Sequence, residues 1–313
     1  MKVAIGERAR VFLEGKLPAG VEPVWYDGSK GAVAAAGEVE AGWLDIINPA
    51  TMAEALEVGR GLKWVFTVQA GVSAQPLATF KERGIVLTNG AGLNSIPVAE
   101  YAIMGMFALA KNLPAVLKIQ EGRVWPRDAP GVGELFESKA LIVGYGAIGK
   151  HIGTRLEGLG VEVVGVRRRP SSDPAILGPD QWRARLGEFD WVILAAPATQ
   201  ETDKLIGAAE LAAMKPSAFI INIARGAVID QPVLLQAIND KVIAGAFLDV
   251  VEPEPAPPED PVWSTPGVIM TSHLSGRAQT RLAERGAIFF LENLKRYVAG
   301  EPLQNVVDLD LGY

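Results

Sequence analysis

The chain has 313 residues, of which 49% are hydrophobic and 21% charged, enough for a large core and for more than one domain. A formal net charge of −6 argues against non-specific nucleic-acid binding, and the absence of cysteine excludes disulfides and thiolate metal sites and fits a reducing cytoplasm. The opening run Met1 to Gly6 meets Glu7 and Arg8 too early for a signal peptide, and the apolar run Tyr101 to Ala110 is too short to span a bilayer, so neither export nor membrane insertion is expected.

In the first hundred residues, short β-branched or aromatic runs alternate with helical stretches: Val3 to Ile5, Pro23 to Tyr26, Leu44 to Ile47, Trp64 to Val68 and Ile85 to Thr88. This alternation predicts a parallel sheet covered by helices. Pro97 to Leu113 reads as a helix that is apolar on most of its circumference, to be buried between layers or subunits; a subunit interface there points to a homodimer. A second α/β series follows, with strands expected at Ala140 to Val143, Val161 to Val166, Trp191 to Ala195, Ala218 to Ile223, Ala244 to Val250 and Val268 to Thr271. Six such strands with helices between them suit a doubly wound nucleotide domain. Glu252 to Pro261, rich in proline and acid, reads as a turn-forming loop, and a helix is expected from beyond Gly276 to about Val298.

Gly144-Tyr145-Gly146-Ala147-Ile148-Gly149 is a GxGxxG that directly follows the apolar run Leu141 to Val143 and opens a helical stretch. The first glycine permits a tight turn, the second admits pyrophosphate to the backbone, and the third lets helix and strand pack closely. The free N–H groups of the helix start then face the anion. In NAD-preferring sites an acidic residue ends the second strand and holds the adenosine ribose 2′-hydroxyl. Here that strand ends in Arg167-Arg168-Arg169, which suits a 2′-phosphate held by charge-assisted contacts. The expected coenzyme is therefore NADP(H), with NAD(H) as the alternative if the arginines are a solvated loop.

Two further segments, Asn222-Ile223-Ala224-Arg225-Gly226-Ala227-Val228-Ile229-Asp230 and Leu248-Asp249-Val250-Val251-Glu252-Pro253-Glu254-Pro255, together with Thr271-Ser272-His273, resemble the D-isomer-specific 2-hydroxyacid dehydrogenases. The resemblance extends over Gln69-Ala70-Gly71-Val72, Val98-Ala99-Glu100, the glycine loop and Pro197 to Thr202. It implies an α/β protein of two domains, a Rossmann doubly wound parallel sheet at residues 99–275 inserted into a flavodoxin-like substrate domain of residues 1–98 and 276–313. It also implies transfer of a hydride between NAD(P)H and a small 2-oxo or 2-hydroxy acid, most simply as a glyoxylate or hydroxypyruvate reductase.

Residue by residue, the resemblance assigns Arg225 to the substrate carboxylate and carbonyl, a task suited to a planar, permanently charged fork. His273 becomes the acid/base; the other histidine, His151, lies just past the glycine loop and is a poor candidate. Glu254 becomes its acidic partner, with Glu252 a neighbour. Asp249 is expected at the nicotinamide carboxamide, and Ala196, Pro197, Ile223 and Ala224 along the coenzyme. The backbone of Ala70, Gly71 and Val72 resembles the family's second clamp on the substrate carboxylate, and Asn94 and Trp125 are candidates for shaping the pocket. Two positions depart from the family pattern: Ser272 stands where proline is usual, and Arg277 where a small residue is common. With so few histidines and no cysteine, no metal site is expected. Competing readings are a dinucleotide-sensing binding protein or corepressor of the same fold, a structural dimeric module, and the same chemistry on pyruvate, phenylpyruvate, formate or phosphonate.

Overall fold

The computed structural model describes residues 1–72, 75–169 and 171–310, and the chain divides into two compact units, residues 1–94 with 279–313 and residues 95–278. In the first unit the strands are β1 (Lys2–Gly6), β2 (Glu22–Tyr26), β3 (Ala41–Trp43), β4 (Trp64–Phe66) and β5 (Val86–Thr88). Its helices are α1 (Arg10–Leu13), α2 (Gly28–Ala36), α3 (Pro49–Val58) and α4 (Leu77–Glu82), closed by the last helix of the chain described below. Among the described residues the strands form one parallel sheet in the order β2-β1-β3-β4-β5.

The second unit opens with α5 (Ser95–Ala110) and α6 (Leu113–Glu121). Its strands are β6 (Lys139–Val143), β7 (Glu162–Val166), β8 (Ile176–Leu177), β9 (Trp191–Leu194), β10 (Phe219–Asn222), β11 (Gly245–Leu248) and β12 (Val268–Met270). The connecting helices are α7 (Ala147–Glu157), α8 (Ala208–Ala213) and α9 (Gln231–Asn239), and α10 (Leu282–Ala299) returns to the first unit. The parallel order β12-β11-β10-β9-β6-β7-β8 reverses direction between β6 and β9. That reversal is the topological switch point of a doubly wound sheet, where ligands collect outside the carboxyl ends of the strands.

Each sheet is buried on both faces, which explains why its strands read as continuous apolar runs. In the first unit Val65 and Leu87 pack with α2 and α3 side chains such as Ala35 and Leu56, while Trp43, Trp64 and Phe66 pack with Phe290 and Leu294 of α10. Trp64 stacks on Phe290 at 5.4 Å between ring centroids. In the second unit Ile142, Ile193 and Ile221 face α5 and α7, and Leu141, Val192 and Ile220 face α9 and the 182–189 segment.

Three expectations shift. The third strand of the first unit is Ala41–Trp43, ahead of the Leu44 to Ile47 run, because Gly42 lies beside Ala4 on β1 so closely that an added Cβ would stand 3.1 Å from the Ala4 Cβ. Small residues outside the expected run thus form the strand that pairs with β1. The long apolar helix stops at Ala110, and Asn112, in the left-handed region at φ 48°, starts the separate helix α6. Among the described residues the second sheet has a seventh strand, β8, only two residues long and too short to leave a periodic signal. No single helix among the described residues is long and apolar enough to cross a membrane.

Candidate active site

The glycine loop follows β6 at the switch point. Gly144 has φ 103°, a left-handed conformation, and a Cβ on it would overlap the backbone of Ala195 and Ala196, which follow β9. Gly144 and Tyr145 both donate their N–H to the Val166 carbonyl at 3.0 and 2.8 Å, which ties the loop to the end of β7. A Cβ on Gly149 would strike the Gly144 carbonyl, so the third glycine sets the approach of α7 to β6. Gly146 differs: it is the cap residue of α7, no side chain among the described residues caps the helix, and a Cβ there would meet nothing within 4 Å. An open, uncapped helix start with bare backbone is the cradle a pyrophosphate needs, so these residues fit a dinucleotide. Tyr145 turns its ring away from this cradle onto Gly165 of β7, where a Cβ would lie 2.5 Å from the ring. Burial raises the Tyr145 phenol, with Glu157 and Asp173 adding to the effect.

At the end of β7, Arg167 donates from Nε to the Arg169 carbonyl at 3.0 Å, and Arg168 lies 3.3 Å from Glu201. Both partners of that pair are about 70% exposed (72% and 70%), so solvent screens it and it contributes little to stability. Ala196 is buried and Pro197 exposed at the opposite side of the switch point, on the segment that carries Glu201.

Strand β10 ends in Asn222, whose buried amide shapes the next turn: Oδ1 accepts from Ala224 N at 3.1 Å and Nδ2 donates to the Arg225 carbonyl at 3.0 Å. Ile223 and Ala224 are buried by this turn, and Arg225 is exposed, donating to the Ala224 carbonyl at 2.6 Å. Arg225 forms no ion pair among the described residues, so its charge is available to an anion. Gly226 packs against the chain beyond β11, where a Cβ would overlap the Val251 carbonyl oxygen. That close approach sets Arg225 beside the segment carrying Glu254.

Glu254 and His273 meet. His273 Nδ1 lies 2.8 Å from Glu254 Oε2, while Glu254 Oε1 accepts from Val251 N at 3.2 Å, and Gln231 holds the Glu252 N–H at 3.0 Å. The carboxylate is thereby fixed on one side by backbone and presented to the ring on the other. With the ring Nδ1 directed at Glu254, Nε2 is the nitrogen left to exchange a proton with a ligand.

His273 has φ 52°, unusual for a side chain with a Cβ, and the surrounding bonds hold it there. Its N–H reaches the Asp249 carbonyl at 2.7 Å. The buried Asp249 carboxylate accepts from Thr271 Oγ1 at 2.8 Å, Leu274 N at 2.8 Å and Ser275 N at 3.2 Å. From the other side Arg277 donates to the carbonyls of His273 at 3.0 Å and Ser272 at 2.6 Å. Asp249 thus organises the loop that carries His273, a role the sequence reading did not give it. Thr271, Gln231 and Arg277 were also not assigned; a hydroxyl two residues before the histidine and an arginine four residues after it were the visible signals. Trp125 is 98% exposed, on the segment after α6.

In the first unit, Ala70 and Gly71 are exposed beyond β4 and Val72 is buried. Asn89 Nδ2 holds the Ala70 carbonyl at 2.8 Å, and Asn94 Oδ1 accepts from Gln279 at 2.7 Å.

A doubly wound sheet with a bare glycine cradle at its switch point, and a carboxylate–imidazole pair beyond the carboxyl ends of two neighbouring strands, defines a dinucleotide-binding protein of the dehydrogenase type. The family model for D-isomer specific 2-hydroxyacid dehydrogenase, NAD binding domain, matches residues 103–275, more than half of the chain. The chain belongs to this family. It is 31% identical over 266 residues to a D-3-phosphoglycerate dehydrogenase of Archaeoglobus fulgidus, covering 82% of this chain and 49% of that protein, so it spans about half the length of that relative. It is 31% identical over 269 residues to a glyoxylate reductase of Thermococcus litoralis, covering 82% of this chain and 80% of that one. A solved structure of a D-isomer specific 2-hydroxyacid dehydrogenase family protein from Aeromonas salmonicida is similar at TM-score 0.86 and 26% identity, over 99% of both chains.

Proposed function

We propose that the protein is an NAD(P)-dependent dehydrogenase that interconverts a small 2-oxo acid and the D-2-hydroxy acid, working as a glyoxylate or hydroxypyruvate reductase with NADPH preferred. The observation that carries this reading is the 2.8 Å contact of His273 with Glu254, on a loop held from both sides. When bound, the reduced nicotinamide supplies the hydrogen and electron pair that reach C2. Arg225 holds the substrate carboxylate and draws electron density to the carbonyl oxygen. Protonated His273 gives its Nε2 proton to that oxygen as charge develops on it, and Glu254, 2.8 Å from Nδ1, orients the ring for the transfer. In the oxidation direction neutral His273 takes the hydroxyl proton. The amides of Ala70, Gly71 and Val72 clamp the carboxylate, and Asn94 and Trp125 shape the pocket. Residues 1–98 with 276–313 serve the substrate and residues 99–275 the coenzyme.

The NADPH preference rests on Arg167, Arg168 and Arg169, because the sequence at the end of β7 offers these arginines in place of an acidic residue for the ribose hydroxyl, and a 2′-phosphate outcompetes the exposed Glu201 for Arg168. A homodimer is supported by α6, which buries no side chain among the described residues and exposes Leu113, Val116 and Leu117. Light scattering during gel filtration tests it, and a monomer at micromolar concentration refutes it.

The decisive experiment follows loss of NADPH or NADH absorbance with glyoxylate, hydroxypyruvate, pyruvate and phenylpyruvate, with His273→Ala as control. Turnover that prefers NADPH and is abolished in His273→Ala is expected. Tight coenzyme binding with no turnover of any acid would instead support the dinucleotide-sensing reading, and a preference for NADH would remove the role given to the arginines.

A further inference from the structure

The first turn of α10 carries a positive charge that helix electrostatics disfavours. The helix begins at Leu282, and Arg285 stands where the helix dipole is positive. The neighbouring Glu284 feels this charge but makes its ion pair with Arg281 instead. Glu284 is engaged by Arg281 through both oxygens, at 2.7 and 3.0 Å, and this interaction holds the Glu284 carboxyl below its usual range. Arg285 forms no ion pair among the described residues. It is half-buried, and its guanidinium donates from Nη1 to Gln279 Oε1 at 2.8 Å, while Gln279 Nε2 donates to Asn94 Oδ1 at 2.7 Å. An amide oxygen orients a guanidinium without neutralising it. A half-buried cation held in one orientation and given no ion pair of its own among the described residues is arranged for an anion.

Its place in the fold is that of a ligand site. The next residue, Gly286, packs on Trp43, which ends β3, and on Val68 beyond β4: a Cβ there would lie 2.8 Å from the Trp43 ring and 3.0 Å from Val68. This turn of α10 therefore lies at the carboxyl edge of the five-stranded sheet, where ligands of parallel sheets gather. Asn94, the far end of the amide relay, closes a segment tied to the neighbouring loop by Asn89 Nδ2 on the Ala70 carbonyl at 2.8 Å and Gly90 N on the Gln69 carbonyl at 2.9 Å. In that loop Ala70 and Gly71 are exposed, and their N–H groups donate to nothing among the described residues.

We propose that Arg285 is a specificity-determining residue that takes a second negative group on the substrate, so that the preferred 2-oxo acid is a dianion with a carboxylate or phosphate beyond its carbonyl carbon. The inference rests on the 2-oxo acid reading above. Within this unit the Ala70 to Val72 amides serve the carboxylate next to the carbonyl, and Arg285 serves the far end. The Asn94–Gln279 relay fixes the fork in advance, so ordering the arginine costs little when the anion arrives.

The test uses pairs of acids that share a carbon chain and differ in terminal charge: hydroxypyruvate against its 3-phosphate, and 2-oxobutyrate against oxaloacetate. The wild-type protein is expected to show a higher kcat/KM for the dianion of each pair. Arg285→Gln should lower that kcat/KM roughly ten- to a hundredfold, the loss of a charge-assisted contact, and leave the monoanions within about twofold; Arg285→Lys should fall between. Equal losses for both members of a pair, or a wild-type preference for the monoanions, overturn the proposal while leaving the dehydrogenase reading intact. If neither protein reduces any acid, the dehydrogenase reading fails and calorimetric titration with malonate and acetate decides the anion site separately. Malonate binding that exceeds acetate binding and weakens about tenfold in Arg285→Gln supports the site, and equal binding refutes it.

Discussion

Replacing Asp249 by asparagine isolates the carboxylate that organises the His273 loop. Its oxygens accept from Thr271 Oγ1 at 2.8 Å, Leu274 N at 2.8 Å and Ser275 N at 3.2 Å, in a position 1% exposed. Hydrogen bonds to a charged acceptor contribute about 1.5–3 kcal/mol and neutral ones about 0.5–1.5, so each bond loses about 1 kcal/mol. The asparagine NH2 also faces a donor in place of an acceptor. The combined cost is about 2–4 kcal/mol, which for a unit of this size lowers Tm by roughly 5–15 °C. Because His273 holds its left-handed backbone through this loop, kcat should fall at least about tenfold, the effect of about 1.4 kcal/mol at the transition state. Thermal unfolding by circular dichroism and NADPH oxidation with hydroxypyruvate measure the two effects. Unchanged Tm together with unchanged kcat refutes the reasoning. A weakened coenzyme Kd with Tm unchanged would place the main work of Asp249 at the nicotinamide.

Three further outcomes are expected. Gly226→Ala puts a Cβ into the Val251 carbonyl oxygen, so either the Arg225 turn or the Glu254 segment must move; kcat/KM should fall about a hundredfold or more, and wild-type kinetics would show that the approach is not needed. Arg277→Ala removes the bonds to the carbonyls of Ser272 and His273, so kcat should fall several-fold with coenzyme Kd unchanged and partial recovery in Arg277→Lys; an effect on KM alone contradicts a positioning role. Asp45→Asn should raise Tm at neutral pH, because burial raises the Asp45 carboxyl despite the opposing Trp43 and Arg8. A folded-state value above the unfolded one makes stability complete below the unfolded pKa and diminished as pH rises through the folded one, so the advantage should vanish near about pH 3; equal gains at about pH 3 and about pH 7 contradict this.

What was legible in the sequence was what local spacing determines. The GxGxxG, the Arg225-Gly226 pair, Glu254 and His273 each follow a strand of the parallel sheet, and a strand end in such a sheet is at once a turn and a ligand-facing position. Glu254 and His273 were singled out through the family resemblance, and the structure brings them, 19 residues apart in sequence, to 2.8 Å in space. The two-residue strand β8 lacked the length to show a period, and the small residues Ala41 and Gly42 concealed a strand because close packing against β1, which sequence periodicity does not register, selects them.

The partners of the site residues were harder to read, because a partner is defined by tertiary approach. Asp249 ends a strand, and its position alone is equally consistent with a carboxylate that faces a ligand and one that faces the following loop. The donors of Thr271, Leu274 and Ser275 turn it to the loop, and they lie 22 to 26 residues downstream. Arg277 looked anomalous beside a small-residue pattern, yet it reaches back to the carbonyl of the residue whose conformation most needs support. The two sides of that loop are therefore interdependent: the carboxylate of Asp249 gathers its amides and the guanidinium of Arg277 gathers its carbonyls. If both act on the same backbone conformation, the double variant Asp249→Asn/Arg277→Ala should lose less kcat than the product of the two single losses, since a loop already released by one change has less order left for the other to remove.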